Sequence, residues 1–443
     1  MANGNMANND KVDVVIVGAG ASGSVFASVL AKAGKKVVLL EAGPDWQLGD
    51  MISSDIWGRR IKPAGPPFLL EGKNPYGYVY QAGWGTGGAA LHYFANFPRL
   101  LPNDFKVKRH TYGKGLDWPI DYADIAPYWD KVADDVGVSG DAKAEEIWRP
   151  AGKPYPMPPM RTFPGGDAWK KGFDALGMRL APAAVGINSA TFKGRPACIY
   201  DVRQRPAFLR ALTERRRGWC HVGCPIGALS NPLVTYLAEA RQAGAEVRPY
   251  AHKDKGAFGS TFMVAGTAQR YSALGGVANS RLDLFGAELA AFMKRAARGY
   301  TRLNAFAEEM PVIDNRIELA SDKDEFGMPL GKITHSFNDE AVTLFNANFD
   351  KGVEIAKATG AKEVWPNKGP MPTIHLMGGT IMGKTAGDSV TNSFGQTHEI
   401  GNLWIAGPGI FPTSGAPNPT YTILALSLRG AEQLAKNWGS VAG

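Results

Sequence analysis

Gly18, Gly20, Gly23 and Glu41 are the first residues in this chain whose types and spacing could do chemistry. The glycines spell G-x-G-x-x-G, and Glu41 follows about 20 residues later, where a ribose-binding acid belongs. Gly18 permits a tight turn, Gly20 lets backbone approach a pyrophosphate, and Gly23 lets a helix pack closely on a strand. The phosphates would face the unpaired N–H groups and the positive dipole end of that helix. The elements needed to place these residues are present: an apolar, β-branched run Val14–Val17, a helical pattern through Lys32, and a second apolar strand Val37–Leu40 ending at Glu41. This arrangement implies binding of an adenine dinucleotide.

The chain has 443 residues, enough for about two to three domains. Its net charge of +8 and pI near 9.2 are read as a solvated basic surface. Neither zinc-ligand spacing nor an arginine-aromatic stripe argues for nucleic acid. No window reaches the apolar length of a membrane span. Residues 1–10 are polar and Asn-rich, and are expected to be a disordered tail rather than a signal peptide. The three cysteines, Cys198, Cys220 and Cys224, do not suit a disulfide scaffold.

Beyond Glu41, residues 44–80 read as irregular surface or lid material. The segment Gln81–Arg99 is rich in glycine, as backbone passing close to a flat ligand should be. Helices are expected at Tyr122–Val136, Pro232–Gln242, Leu284–Ala297, Asp339–Thr359 and Tyr421–Asn437. Strands are expected at Asn315–Leu319, Lys332–Phe337 and Leu403–Ala406. Residues 149–200, with many prolines, offer few clear elements.

The blocks GWGTGGAALHY, PNDFKVK, DWPIDYADIAPYW, CPIGALSNP, NRIELASDKDEFGMPL, HLMGGTIMG and NLWIAGPGIFPTSGAPNPTYTILALSLR complete the pattern. Together with the glycine-rich opening, they make the chain similar to the glucose-methanol-choline (GMC) family of FAD oxidoreductases, in the branch of bacterial sugar dehydrogenases and pyranose oxidases. The resemblance implies an α/β fold with an FAD-binding Rossmann-like (GR2-type) domain built from residues 11–251 and 371–443. Residues 252–370 would form an inserted α+β substrate domain with an antiparallel sheet.

The same resemblance implies FAD as cofactor, with contacts at Gly18, Gly20, Ala21, Ser22, Gly23, Glu41, Ala42, Gly87, Gly88, His92, Gly407, Asn418 and Thr420. His375 matches the family's catalytic histidine and Asn418 its partner. Imidazole titrates near working pH and suits a base, whereas an amide can only orient the substrate oxygen. His92 falls where pyranose oxidases carry a histidine linked covalently to FAD. Packing on the flavin edge without the bond is the preferred expectation. Cys198, Cys220 and Cys224 resemble part of an iron–sulfur ligand set. Ile199 stands where clustered relatives carry a further cysteine, and the basic run 202–217 separates Cys198 from Cys220, so three unligated thiols are expected. His335 lies in a matching block without an assigned role, and His110, His221, His252 and His398 are read as surface or structural.

One departure bears on the whole reading. After the strand near Ala251 the family continues with further FAD-domain strands, but here HKDKGAFGSTF follows at once. A sheet deprived of those pieces would expose apolar edges and put flavin retention in doubt. The expected function is oxidation of an alcohol group of a sugar or glycoside, with electrons passed to a cytochrome, quinone or small carrier. The alternatives are an oxygen-using oxidase of an aromatic alcohol, and a truncated, non-catalytic scaffold. Trp84, Tyr93, Phe94 and Phe97 would serve as stacking surfaces for either substrate. A small-subunit partner is compatible with the family, and the expected location is the cytoplasm, or the periplasm by co-export with a signal-bearing partner.

Overall fold

The computed structural model describes residues 11–52, 69–74, 83–110, 113, 116–150, 152–162, 164–198, 220, 223–249, 277–303, 308–324, 327–366 and 375–441. The expectations for residues 1–10, for the run 202–217, for Ile199, His221 and His252, and for the segment that follows Ala251 lie outside them.

Strand β1, Val14–Val17, leads through the glycine turn into helix α1, Ala21–Lys32, and back to strand β2, Val37–Leu40. Helix α1 is built of small and apolar residues and buries Val25, Phe26, Ala27 and Leu30. It ends where Gly34 turns left-handed at φ 77°, with the Gly34 and Lys35 N–H groups donating to Ala31 and Leu30. Strands β1 and β2 pair in parallel, as a helical crossover requires.

The second sheet begins with the short strand β3, Leu69–Glu71. Helix α2, Tyr122–Val136, matches its expected bounds. Asp121 caps it by accepting the Ala123 N–H at 3.1 Å, Asp124 returns a bond to the Asp121 N–H, and Gly137 at φ 77° stops it. Helix α3, Pro164–Ala175, was not expected, because its flanking prolines and its own glycines hide the periodicity. It packs against a later helix, and a β-carbon at Gly172 would lie 2.7 Å from the Ile355 carbonyl oxygen.

After a 3-10 turn at Pro232–Val234 come helix α4, Tyr236–Gln242, and strand β4, Glu246–Arg248. Strand β4 completes a parallel sheet of order β1-β2-β4. Helix α5, Gly286–Ala296, precedes strands β5, Arg316–Lys323, and β6, Pro329–Thr334. Helix α6, Asp339–Ala358, is capped by Asn338, which accepts the Ala341 N–H at 2.7 Å. The second sheet has the order β3-β6-β5 and is mixed, antiparallel between β5 and β6 and parallel between β3 and β6.

The last long helix, α7, Thr420–Lys436, returns to the first sheet. Phe26 and Leu30 of α1 share an apolar cluster with Ala431 and Leu434 of α7 and Leu237 of α4. The other face of α7 joins the largest cluster, in which Tyr421 stacks on Phe97 at 5.0 Å and donates from its hydroxyl to the Trp129 carbonyl at 2.6 Å. Tyr93 and Phe97 are therefore core residues rather than walls of a substrate pocket.

The strand expected at Leu403–Ala406 does not form. Ile405 donates to the Gly395 carbonyl and Leu403 to Ile400, so these amides are used within the 392–405 turns rather than in a ladder. Strand β1 lies at the sheet edge among the described residues, with Val15 and Val17 exposed by 55% and 70%.

Tyr421→Phe removes a fully buried hydroxyl and leaves the Trp129 carbonyl without it. The expected cost is about 1–3 kcal/mol, measured as a lower urea midpoint at unchanged slope.

Candidate active site

The glycine turn has the geometry a dinucleotide needs. Gly18 sits at φ 93° and its N–H donates to the Leu40 carbonyl at 2.7 Å. A β-carbon at Gly23 would lie 2.0 Å from the Gly18 carbonyl oxygen, so α1 crosses the turn in contact with backbone. Over Gly18 and Gly20, by contrast, a β-carbon would meet nothing within 4 Å. Gly20 caps α1 without any side-chain bond. The backbone at Gly18 and Gly20 is thus open on the side a β-carbon would occupy, and the helix start has no side-chain cap, which fits a pyrophosphate.

Glu41 is buried, and both its oxygens are engaged. Oε2 accepts the Ala19 N–H at 2.8 Å, and Oε1 accepts those of Gly43 at 2.9 Å and Gly85 at 3.1 Å. The carboxylate therefore joins three strands of chain: the β1–α1 turn, the end of β2 beside Ala42, and the glycine-rich segment 83–88. Close contact continues there. Gly87 donates to the Ala19 carbonyl at 2.9 Å, and a β-carbon at Gly88 would lie 3.1 Å from the Gly20 α-carbon.

Distant residues complete the floor. A β-carbon at Gly407 would come 3.5 Å from Ser22 Oγ, which places the 407 turn over the start of α1. Ala21, Ala90 and Thr420 line one small internal cavity with Tyr93 and Ser24. His92, just after the short 3-10 helix Gly88–Leu91, is buried, and its N–H donates to the Ala89 carbonyl. The structure thus gathers the expected cofactor residues from the N-terminal unit, the glycine-rich segment and the start of α7.

His375 and Asn418 meet, with Asn418 Nδ2 lying 3.1 Å from His375 Nε2. With the amide in this orientation its NH2 donates to Nε2, an arrangement that fits the neutral imidazole tautomer with its proton on Nδ1. Burial pushes the His375 pKa down to about 4, which keeps the ring neutral at working pH. Two stretches of chain hold the pair. Gly378, Thr380 and Met382 donate to the carbonyls of Pro408, Gly409 and Ile410, locking the segment after His375 against the one leading to Asn418. Trp118 Nε1 then donates to Thr413 Oγ1 at 2.8 Å. Glu308 accepts the Gly415 N–H at 2.9 Å. Sequence reasoning missed Glu308 and Trp118, since a carboxylate that serves a backbone amide, or an indole that serves a threonine hydroxyl, carries no motif of its own.

The remaining histidines and cysteines have other places. His335 follows β6 and joins it to β3 by donating its N–H to the Glu71 carbonyl, while its ring lies 3.3 Å from Glu309 and edge-on to Phe337. His398 Nε2 lies 3.0 Å from Ser389 Oγ. Cys198, Cys220 and Cys224 are half-buried and form no disulfide, and Cys224 Sγ accepts the Leu229 N–H at 3.5 Å. Burial and the two neighbouring thiols push Cys220 up to about 12. Among the described residues no group of His, Cys, Asp or Glu is arranged to hold a metal ion.

Residues 311–427 match the family model of the GMC oxidoreductases, and residues 16–81 match an NAD(P)-binding Rossmann-like domain. The fructose dehydrogenase large subunit of Gluconobacter japonicus is 25% identical, over 95% of this chain and 97% of its own. That alignment runs over 548 positions, more than the 443 residues present here, so the relative carries internal segments that this chain lacks. A 2-methyl-1,2-propanediol dehydrogenase of Mycolicibacterium austroafricanum is likewise 25% identical, over 98% of this chain and 96% of its own. Among solved structures, the formate oxidase of Aspergillus oryzae superposes with a TM-score of 0.55 at 11% identity, covering 98% of this chain and all of that one. The chain is a GMC oxidoreductase, an FAD-dependent enzyme of the class that oxidises CH–OH donors.

Proposed function

We propose that this protein oxidises an alcohol group of a sugar or glycoside and passes the electrons to an acceptor other than oxygen. The observation that carries the proposal is the 3.1 Å contact of His375 Nε2 with Asn418 Nδ2, a base and a donor side by side. A substrate hydroxyl inserted there would donate its proton to Nε2 and accept a bond from the amide. His375 then takes the proton as the C–H bond breaks, and Asn418 fixes the direction of the C–O bond. FAD, when bound, supplies the hydride acceptor. Its pyrophosphate would lie on the first turn of α1 beside Gly20, Ala21 and Ser22, with Glu41 at the ribose end and Gly87, Gly88, His92, Gly407 and Thr420 around it.

The substrate class follows relatives whose names state it: the fructose dehydrogenase large subunit, a paromamine 6'-oxidase of Streptomyces fradiae and a C-glycoside 3-oxidase of Arthrobacter globiformis. Dehydrogenases lead among the relatives that match nearly the whole chain, which favours a non-oxygen acceptor such as a cytochrome, quinone or small carrier. The named oxidases are the reason to keep oxygen as a second reading. A large subunit among the relatives also supports a small-subunit partner, and with it co-export as an alternative to the cytoplasm. No helix among the described residues is long and apolar enough to cross a membrane. The proposed division is residues 11–251 with 371–443 for FAD and 252–370 for substrate, β3 and α3 packing onto the latter.

The direct test is an anaerobic absorbance spectrum of the purified protein before and after adding fructose, glucose or a methyl glucoside. Bleaching of the flavin bands by a sugar supports the proposal; a protein that cannot be loaded with FAD overturns it. Colour retained in an acid-precipitated pellet would establish a covalent link through His92.

Two variants follow. His375→Ala should lower kcat at least about 10²-fold with flavin content unchanged. Because burial depresses the His375 pKa, the base stays competent well below pH 6.5, and the acid limb of kcat/KM should fall near pH 4. Glu41→Gln turns an NH2 toward backbone N–H donors. It should lower the melting temperature and release flavin on gel filtration.

A further inference from the structure

Asn418 sits on an unusual arm. The sequence Gly415-Ala416-Pro417-Asn418-Pro419 has a proline on each side of it, and a proline has a fixed φ and no N–H to anchor. Among the described residues the last amide held before Asn418 is that of Gly415, so its placement is transmitted along a stiff segment.

Three neighbours hold this point. Gly415 is left-handed at φ 61°, and a β-carbon there would lie 2.7 Å from Leu100 Cδ2 and 3.3 Å from Asp104 Oδ2, so the turn is pressed against residues 100–104. Trp118 fixes Thr413 two residues earlier. The third neighbour reaches in from outside the first sheet: Glu308, ahead of β5, accepts the Gly415 N–H at 2.9 Å. We propose that Glu308 is a positioning residue for the oxidation, clamping the Gly415 amide so that the proline-flanked Asn418 stands against His375. The proposal rests on the role given to that pair above. Burial, and less so the nearby Asp104 carboxylate, push the Glu308 pKa up, and an amide in its place keeps an oxygen that accepts the Gly415 N–H.

The test uses the full-length protein and the variants Glu308→Ala, Glu308→Gln and His375→Ala. Hydrogen exchange read by mass spectrometry over residues 411–420 reports the clamp without any need for turnover. Steady-state kinetics with a sugar and an artificial electron acceptor report its effect on chemistry. Glu308→Ala should exchange faster in that segment by about tenfold or more. It should also lose about 10²-fold in kcat, with KM changed less than about threefold and flavin content retained. Glu308→Gln, whose amide oxygen still accepts the Gly415 N–H, should restore both. Unchanged exchange in Glu308→Ala overturns the proposal. So does equal loss of kcat in the alanine and glutamine variants, which would mean that the charge acts on substrate. If the wild type turns over no sugar, or His375→Ala keeps full activity, the assigned roles fail. The exchange contrast between the Glu308 variants then still decides whether the clamp exists.

Discussion

The carboxylate of Glu41 is the point on which this architecture depends. It is buried, and it accepts three backbone N–H groups from segments that are far apart in sequence. Backbone donors packed this tightly leave no room for side chains. That is why glycine occupies positions 43 and 85, where β-carbons would come 2.3 Å from the Gly85 nitrogen and the Trp46 indole nitrogen. Hydrogen bonds to an ionised acceptor are about twice as strong as neutral ones. The open space over Gly18 and Gly20 is thus a surface held from beneath by Glu41 and from the side by α7.

The same logic governs the pair His375 and Asn418. Neither residue lies in a regular element, and each is steered by bonds made to the backbone next to it. Three rungs align 378–382 with 408–410, an indole holds Thr413, and a carboxylate holds Gly415. Burial lowers the proton affinity of His375 and leaves it neutral. A neutral imidazole beside an amide donor suits proton acceptance from a hydroxyl better than binding of an anion.

The N-terminal unit was legible in the sequence because each of its residues answers to a backbone requirement that few other residues satisfy. Gly23 is needed where a methyl group would strike the Gly18 carbonyl, and the strand and helix around it keep their own periods. Helix α2 was equally clear, since Asp121, Asp124 and Gly137 mark both ends. Tertiary bonding misled elsewhere. Leu403–Ala406 has the composition of a strand, yet its amides are taken up by local turns. Helix α3 lay hidden among prolines and glycines. Tyr93 and Phe97 looked like pocket aromatics and proved to be core, a distinction that depends on the partner helix α7 rather than on local pattern.

The packing of α1 on α7 has a consequence for how the protein is made. Phe26 and Leu30 find their cover in Ala431 and Leu434, and Gly430 comes close enough for a β-carbon there to lie 3.1 Å from Phe26. Helix α1 leaves the ribosome long before α7 exists. The dinucleotide-binding unit therefore cannot close during translation, and its apolar face stays uncovered until the last long helix arrives. A chain of this kind exposes apolar surface while it is being synthesised, the condition in which chaperones act.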